Sequence, residues 1–259
     1  DNEKRVGITP KGAALLIKNG FHITVEESNS RIIETKDYFD SGCVIAKEAS
    51  WSNAPRDTII FGLKELPNDS SALIHRHIMF GHAFKGQKSG LALLKRFKSG
   101  GGTLYDIEYL TEKRGKRVAA FGYWAGYAGA AVSLKVFLAL KNNTVCSPLN
   151  YYRNKEVLVS ELKDEFSRAN FRIPDAIILG ALGRVGRGAS DFCHTLGLKT
   201  TKWDTEETKD RVFFKEILEY DIFLNCILAN KDTPLFFSKE DIKHPRKLSV
   251  IGDIACDPD

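Results

Sequence analysis

The sequence predicts an α/β protein of two Rossmann-like domains, each built on a mostly parallel sheet, with a cleft between them. Three observations carry this expectation. Short apolar runs alternate with helical segments over residues 1–120, the pattern of a parallel sheet. A long segment rich in apolar and small residues, 124–140, then opens a second alternating series. Within that series residues 176–204, AIILGALGRVGRGASDFCHTLGLKTTKWD, read as strand, glycine turn, helix, strand and terminal acid. That order is the βαβ unit of dinucleotide-binding proteins. At 259 residues the chain has room for two such domains, placed at 1–120 and 121–259.

The elements follow in order. Residues 11–20 carry Ala14, Leu15 and Ile17 before Gly20, a short helix with a glycine stop. Residues 21–26 alternate as a strand. Residues 38–44 predict a turn of helix and then a small strand near Val44 and Ile45. The continuous apolar run at 58–63 predicts a strand covered on both faces. Residues 77–83 make another strand, with His75 and His77 at its start expected on the surface. Leu91, Leu93, Leu94 and Phe97 mark a helix at 89–98, a triple-glycine turn follows, and residues 103–109 form a strand.

In the second half, residues 124–140 read as a buried helix joining the two domains. A polar connector containing Pro148 leads to a helix at 154–169, with Val157, Leu158, Leu162 and Phe166 on one face. After the βαβ unit come a helix at 213–219 and strands at 221–228 and 248–254. In the glycine turn, Gly180, Gly183, Gly186 and Gly188 let backbone approach a pyrophosphate at a helix N-terminus. Asp204 ends the second strand, where an acid accepts both hydroxyls of an adenosine ribose and repels a 2′-phosphate, so NAD is favoured over NADP. The spacing is G-x-x-G-x-x-G, one residue longer than the usual fingerprint, and a glycine turn that binds nothing is the competing reading.

Composition bounds the function. The net charge of +5 is spread along the chain, which suits anionic small molecules and gives no nucleic-acid surface. Cys43, Cys146, Cys193, Cys226 and Cys256 are far apart, lack C-x-x-C spacing and are odd in number. Reduced thiols in the cytoplasm, with no metal site, are therefore expected. The sequence reading finds no apolar run of about 18 residues and no signal peptide, so no membrane partner is expected. The ends, Asp1 and Asp257-Pro258-Asp259, read as those of a piece of a longer chain.

Three stretches outside the glycine turn hold reactive side chains. Arg5, before a short strand-turn, offers a bidentate clamp for a carboxylate, or a plain salt bridge. Lys64 and Glu65 stand at the C-terminal end of a strand, the edge where open α/β sheets bind ligands. A partly desolvated lysine there serves as a base; a loop lysine paired with Glu65 is the alternative. His82 ends the next strand, followed by Lys85 and Gln87, and histidine is matched to proton transfer near neutral pH.

Taken together, the motifs resemble one family. They are E-x-R-V-x-x-T-P at 3–10, F-G-L-K-E-L-P at 61–67, F-x-H-x-x-K-x-Q at 80–87 and G-T-L-Y-D-I-E-Y-L at 102–110. R-V-A-A-F-G-x-x-A-G-x-A-G-A-A at 117–131 and G-A-L-G-R-x-G at 180–186 complete the set. In this order, and over essentially the whole chain, they resemble the NAD-dependent, lysine-forming saccharopine dehydrogenases, themselves related to alanine dehydrogenase and transhydrogenase. The resemblance implies oxidative cleavage of saccharopine to lysine and 2-oxoglutarate, the last step of the α-aminoadipate route of lysine biosynthesis. It implies Lys64 as catalytic base, His82 as proton donor and Arg5 as holder of a substrate carboxylate. Arg117 and Phe121 match residues lining the substrate site, Gly183 and Arg184 the pyrophosphate turn, Asp204 the ribose acid and Thr208 a further nucleotide contact. Glu65 and Glu108 match acids near the catalytic lysine.

There are departures. The family has a strand before residue 3 and continues past residue 259 to a stretch carrying an Asp near the nicotinamide. Lys116 stands where some relatives have Arg, and Val185 replaces a cysteine that in some members pairs with the one matching Cys226. Three rival readings stay open: an alanine-type amino-acid dehydrogenase, an NADP(H)-using lysine–2-oxoglutarate reductase and a silent nucleotide-binding module. No oligomer is implied, a monomer fits, and fungal relatives make a peroxisomal location compatible with the resemblance.

Overall fold

A computed structural model of the protein describes residues 3–64, 66–67, 69–84, 86, 88–169, 171–209, 214–229 and 233–255. The chain forms two compact units, Asp1–Ala120 and Phe121–Asp259.

In the first unit, helix α1 (Pro10–Lys18) starts where Thr9 accepts a hydrogen bond from the Gly12 amide and proline takes the first helical position. Strands β1 (Thr24–Glu26) and β2 (Val44–Ala46) pair in parallel, with α2 (Thr35–Asp40) between them in sequence. Ala13, Tyr38 and Cys43 form the small core of this part. A separate parallel sheet has the order β3 (Ile59–Phe61), β4 (Arg76–Met79), β5 (Thr103–Asp106). Helix α3 (Lys88–Gly100) makes the crossover from β4 to β5. All three strands run the same way, so the residues after each one gather at a single edge.

Three expectations need correction here. β3 is not covered on both faces: Ile59 and Phe61 are 47% and 43% exposed, because β3 is an edge strand whose one described neighbour is β4. The predicted strand at 103–109 stops at Asp106, whose side chain accepts from the Glu108 amide at 3.1 Å and caps a 3₁₀ turn over Ile107–Tyr109. His75 and His77 are not surface residues; each is 1% exposed. Strand periodicity places them on the face of Met79 rather than that of Arg76, and their polarity does not override that register. Trp51 stands edge-on to His77 at 5.4 Å, and Phe97 of α3 at 5.2 Å. His75 Nε2 meets the Ala54 carbonyl at 2.9 Å. His77 Nε2 is buried without a hydrogen-bond partner among the described residues.

The second unit begins with the long helix α4 (Gly122–Lys141), followed by α5 (Lys155–Ala169). Its sheet contains β6 (Asp175–Leu179), β7 (Lys199–Trp203), β8 (Ile222–Asn225) and β9 (Val250–Asp253), all parallel, in the order β7-β6-β8-β9. Helix α6 (Arg184–Thr195) joins β6 to β7, and α7 (Thr205–Thr208) follows β7. The order reverses beside β6, creating the topological switch point at which doubly wound sheets bind ligands. In place of the helix expected at 213–219 there is a 3₁₀ turn, Lys215–Glu219; residue 213 lies outside the described residues.

Both faces of this sheet are covered. Leu134, Phe137 and Leu138 of α4 and Phe192 and Cys193 of α6 pack with Ile178, Ile222 and Leu224 on one side. Phe214, Ile217 and Leu218 pack with Ile177, Leu179 and Phe223 on the other. Burial pushes the thiols of Cys193 and Cys226 up to about 12, and neither is in a disulfide.

α4 also corrects the count of apolar runs. Among the described residues it alone is long and apolar enough to cross a membrane by length and composition. Half of that apolar stretch is buried inside the fold, where Tyr127, Ala130, Ala131, Leu134, Phe137 and Leu138 pack, while Trp124 and Leu140 are exposed. It crosses α6 backbone to backbone. A Cβ on Gly126 would sit 1.9 Å from the Val185 carbonyl oxygen, and one on Gly188 would sit 1.8 Å from that of Tyr123.

Two tests follow. Gly188→Ala forces the helices apart and is expected to destabilise the second unit by about 3 kcal/mol; a thermal unfolding midpoint unchanged from the parent would refute the crossing. His77 is held near 4 instead of 6.5, mainly by burial and then by the charges of His75 and Arg96. The unfolded chain therefore takes up this proton first as pH falls. Its contribution is full above about 6.5 and declines toward 4, by about 2 kcal/mol at pH 5. His77→Leu removes this slope, so its unfolding midpoint should drop less between pH 7 and pH 5 than the parent's; equal drops would show that His77 is protonated in the fold.

Candidate functional site

The first group of candidate residues lies at the carboxyl edge of the β3-β4-β5 sheet. Lys64 follows β3 and His82 follows β4. The turns that carry them are tied together, since the Gly62 amide donates to the Ile78 carbonyl at 3.0 Å and the Phe80 amide to that of Leu63 at 3.1 Å. Arg5 is oriented by Glu3, its Nε and Nη2 donating to the two carboxylate oxygens at 2.8 and 2.6 Å. Arg5 thus presents the bidentate face expected of a carboxylate clamp, with a carboxylate of the chain itself on it. Hydrogen bonding from Arg5, aided weakly by the nearby charge of Lys64, holds Glu3 down at about 2. The ion pair is therefore fully formed throughout the neutral range and is lost only as pH falls toward 2.

His82, Glu108 and Arg117 come together. His82 Nδ1 lies 3.9 Å from Glu108 Oε2, and Arg117 Nη2 donates to the same oxygen at 2.9 Å. Glu108 sits in the 3₁₀ turn after β5. Arg117 returns to it through a short hairpin in which Thr111 bridges Arg117 and Gly115 takes a φ of +79°. His82 is only partly exposed and Glu108 less so. His82 has a φ of +48°, a left-handed conformation that is strained for a side-chain-bearing residue. Glu65, Lys85 and Gln87 lie outside the described residues. Phe121 belongs to the second unit, where it caps the start of α4 and its carbonyl accepts from the Ala125 amide at 3.0 Å.

The second group lies at the carboxyl ends of β6 and β7. Gly180 turns the chain out of β6 with a φ of +73°, and its amide and that of Ala181 both donate to the Trp203 carbonyl. Gly183 is the N-cap of α6, whose axis directs its positive end to this edge. A Cβ on Gly183 would meet only the Gly180 carbonyl oxygen, at 3.2 Å, so the outer side of the turn is open. Gly186 has a different task, since its Cβ would stand 2.1 Å from that same carbonyl oxygen; it seats α6 on the turn. Arg184 begins the helix.

Asp204 joins the two strand ends. Its Oδ2 accepts from the Leu182 amide at 2.9 Å, and its Oδ1 accepts from the Thr205 amide at 3.0 Å. The Asp204 amide donates to Glu207 at 2.7 Å, completing a capping box for α7. Thr208 donates to the Asp204 carbonyl at 2.8 Å and so closes the same turn. Asp204 is therefore largely engaged by the chain: Oδ1 also accepts from Thr205 Oγ1 at 3.3 Å, while Oδ2, bonded to the Leu182 amide, keeps a further lone pair for a ribose hydroxyl. An open glycine turn at a helix N-terminus, with an acid bonded to its tip, fits a dinucleotide. Gly183 and Arg184 would hold the pyrophosphate and Asp204 the ribose.

Sequence reasoning missed Asp106. Its carboxylate accepts from the amides of Gly81 at 3.1 Å, Ala83 at 3.2 Å and Glu108 at 3.1 Å. The available signal was an Asp closing a strand ahead of a turn, an ordinary capping pattern. Its reach across to the His82 loop depends on the pairing of β4 with β5, where Met79 stands opposite Asp106.

Residues 1–128 match the family model of the alanine dehydrogenase/PNT N-terminal domain. The chain is 41% identical over 266 residues to the saccharopine dehydrogenase [NAD(+), L-lysine-forming] of Schizosaccharomyces pombe, covering 98% of this chain and 72% of that protein. It is 39% identical over 265 residues to the protein of that name from Yarrowia lipolytica, with the same two coverages. The crystal structure of transhydrogenase from Sinorhizobium meliloti superposes with a TM-score of 0.52 at 15% identity, over 88% of this chain and 67% of that one, and so shares the fold. The motifs at Arg5, Lys64, His82 and Gly183 thus sit in a chain that belongs to the family of NAD-dependent, lysine-forming saccharopine dehydrogenases.

Proposed function

We propose that this chain catalyses the NAD-dependent oxidative cleavage of saccharopine to lysine and 2-oxoglutarate. The observation that carries the proposal is the gathering of Lys64, His82 with Glu108, and the Arg5 clamp on one unit, in a chain whose other unit carries the Gly183–Asp204 dinucleotide loop. In this reading the first unit binds and transforms the substrate and the second binds NAD.

Arg5 exchanges Glu3 for a substrate carboxylate, keeping the same two-pronged geometry. Bound NAD supplies the hydride acceptor for the α-carbon of the glutamate half. Lys64 Nζ, as base, takes the proton from the secondary amine, leaving a carbon–nitrogen double bond in the substrate. Water adds to that carbon as Lys64 returns its proton to the nitrogen and takes the one the water sheds, giving the carbinolamine. His82 protonates the lysine nitrogen as the carbon–nitrogen bond breaks and the carbinolamine hydroxyl gives its proton to solvent, releasing lysine and 2-oxoglutarate. Glu108, fixed by Arg117, faces the His82 ring from the side of Nδ1. A cytoplasmic location completes the reading, in keeping with the free thiols of Cys43, Cys193 and Cys226.

Each proton-transfer group contributes on the order of 10²–10⁴-fold. Lys64→Met combined with His82→Gln should therefore reduce NADH oxidation with lysine and 2-oxoglutarate by at least ~10³-fold in the full chain, while NADH still binds. Near-normal turnover would remove both residues from the chemistry, and turnover of pyruvate with ammonia instead would mark an alanine-type enzyme. Asp204→Ala should weaken NADH binding by about tenfold and narrow the preference for NADH over NADPH. It should also cost about 1 kcal/mol of stability from the lost cap of α7. Fluorescence titration of both nucleotides checks this, and an unaltered preference would place the ribose elsewhere.

A further inference from the structure

We propose that Asp106 is a positioning residue for His82: one carboxylate grips the backbone on both sides of the histidine and, at the same time, the backbone of the acid that faces it. The inference rests on the reading of His82 as the proton donor. The Gly81 amide donates to Asp106 Oδ1 and the Ala83 amide to Oδ2, at 3.1 and 3.2 Å. His82 is the single residue between them, and it is the one held at a φ of +48°. Left-handed backbone with a side chain persists where surrounding contacts over-determine it. Here the two clamped amides are those contacts.

The same Oδ1 also accepts from the Glu108 amide at 3.1 Å. Glu108 Oε2 is the oxygen 3.9 Å from His82 Nδ1. The two ends of the His82–Glu108 pair thus hang from one carboxylate at the end of β5. The site around it leaves little slack. A Cβ on Gly81 would meet Leu104 Cδ2 at 3.1 Å and Asp106 Oδ2 at 3.3 Å, so the loop lies directly against β5. The bonds from Asp106 run to backbone amides, so it acts on His82 through the backbone. Small misplacements of a proton donor are costly in rate while leaving nucleotide binding alone.

Asp106→Asn is the test, because it keeps the shape but turns an amide donor toward one of the backbone N–H groups. Asp106→Ser, with a single small acceptor, serves the same purpose should the asparagine variant not fold. In the full chain the expected result is a fall in kcat of about tenfold, unchanged NADH affinity, and displaced, broadened ring resonances of His82 in a histidine-labelled NMR spectrum. The resonances are identified by their loss in His82→Gln. The loss from Asp106→Asn should also nearly vanish when it is introduced into His82→Gln, because both changes then act on one group. Unmoved His82 resonances, or an equal loss in both backgrounds, would overturn the proposal and leave Asp106 a structural cap. Near-normal turnover of His82→Gln, together with resonances displaced by Asp106→Asn, would instead remove His82 from the reaction while upholding its positioning by Asp106.

Discussion

Helices α4 and α6 meet where neither carries a side chain, at Gly126 and Gly188, and the second unit depends on that contact. The close approach brings α6 down over β6 and β8, where Phe192 and Cys193 join the core beside Leu134 and Phe137. With α6 seated there, its N-cap Gly183 reaches the carboxyl end of β6 and faces the tip of β7. The bond from the Leu182 amide to Asp204 is available only because both strand ends arrive at the same height. A glycine pattern that looks devoted to a ligand is thus divided between two tasks. Gly180 and Gly183 shape an open turn, while Gly186 and Gly188 let backbone pack on backbone.

The first unit reaches a similar result by a different device. Its sheet has three described strands, and β3 leaves Ile59 and Phe61 partly in solvent. Burial supplies less constraint at its carboxyl edge than in the second unit, and polar contacts supply more. Asp106 holds three amides, Glu108 receives Arg117, and Glu3 holds Arg5. Charge-assisted hydrogen bonds of this kind are directional in a way that apolar packing is not. They suit a site that must place protons to within a fraction of an ångström.

Much of this was legible in the residues. The alternation of strands and helices, the turn at Gly180, the acid at Asp204 and the strand-end positions of Lys64 and His82 follow from periodicity and from the chemistry of glycine and aspartate. Other features were not. His75 and His77 looked like surface residues because histidine is polar, yet strand register and the aromatic rings of Trp51 and Phe97 decided their burial. Asp106 gave only the signal of a cap, since its partners at residues 81 and 83 are more than twenty positions away in sequence. By composition the apolar helix α4 suits a membrane or a core, and what buries part of it here is its packing within the second unit, against α6 among others.

By itself, then, the sequence determined the class of fold, the order of most elements, and the NAD-dependent family through motifs spread from Glu3 to Gly186. Those properties are local: they depend on residues near one another along the chain, or on a pattern that survives without coordinates. Tertiary structure decided which carboxylate faces His82, what holds that histidine in a left-handed conformation, and which glycines pack rather than bind. Such relations join residues distant in sequence through the pairing of β4 with β5 and the crossing of α4 over α6. They depend on register and close approach, which three-dimensional packing sets and linear spacing does not encode.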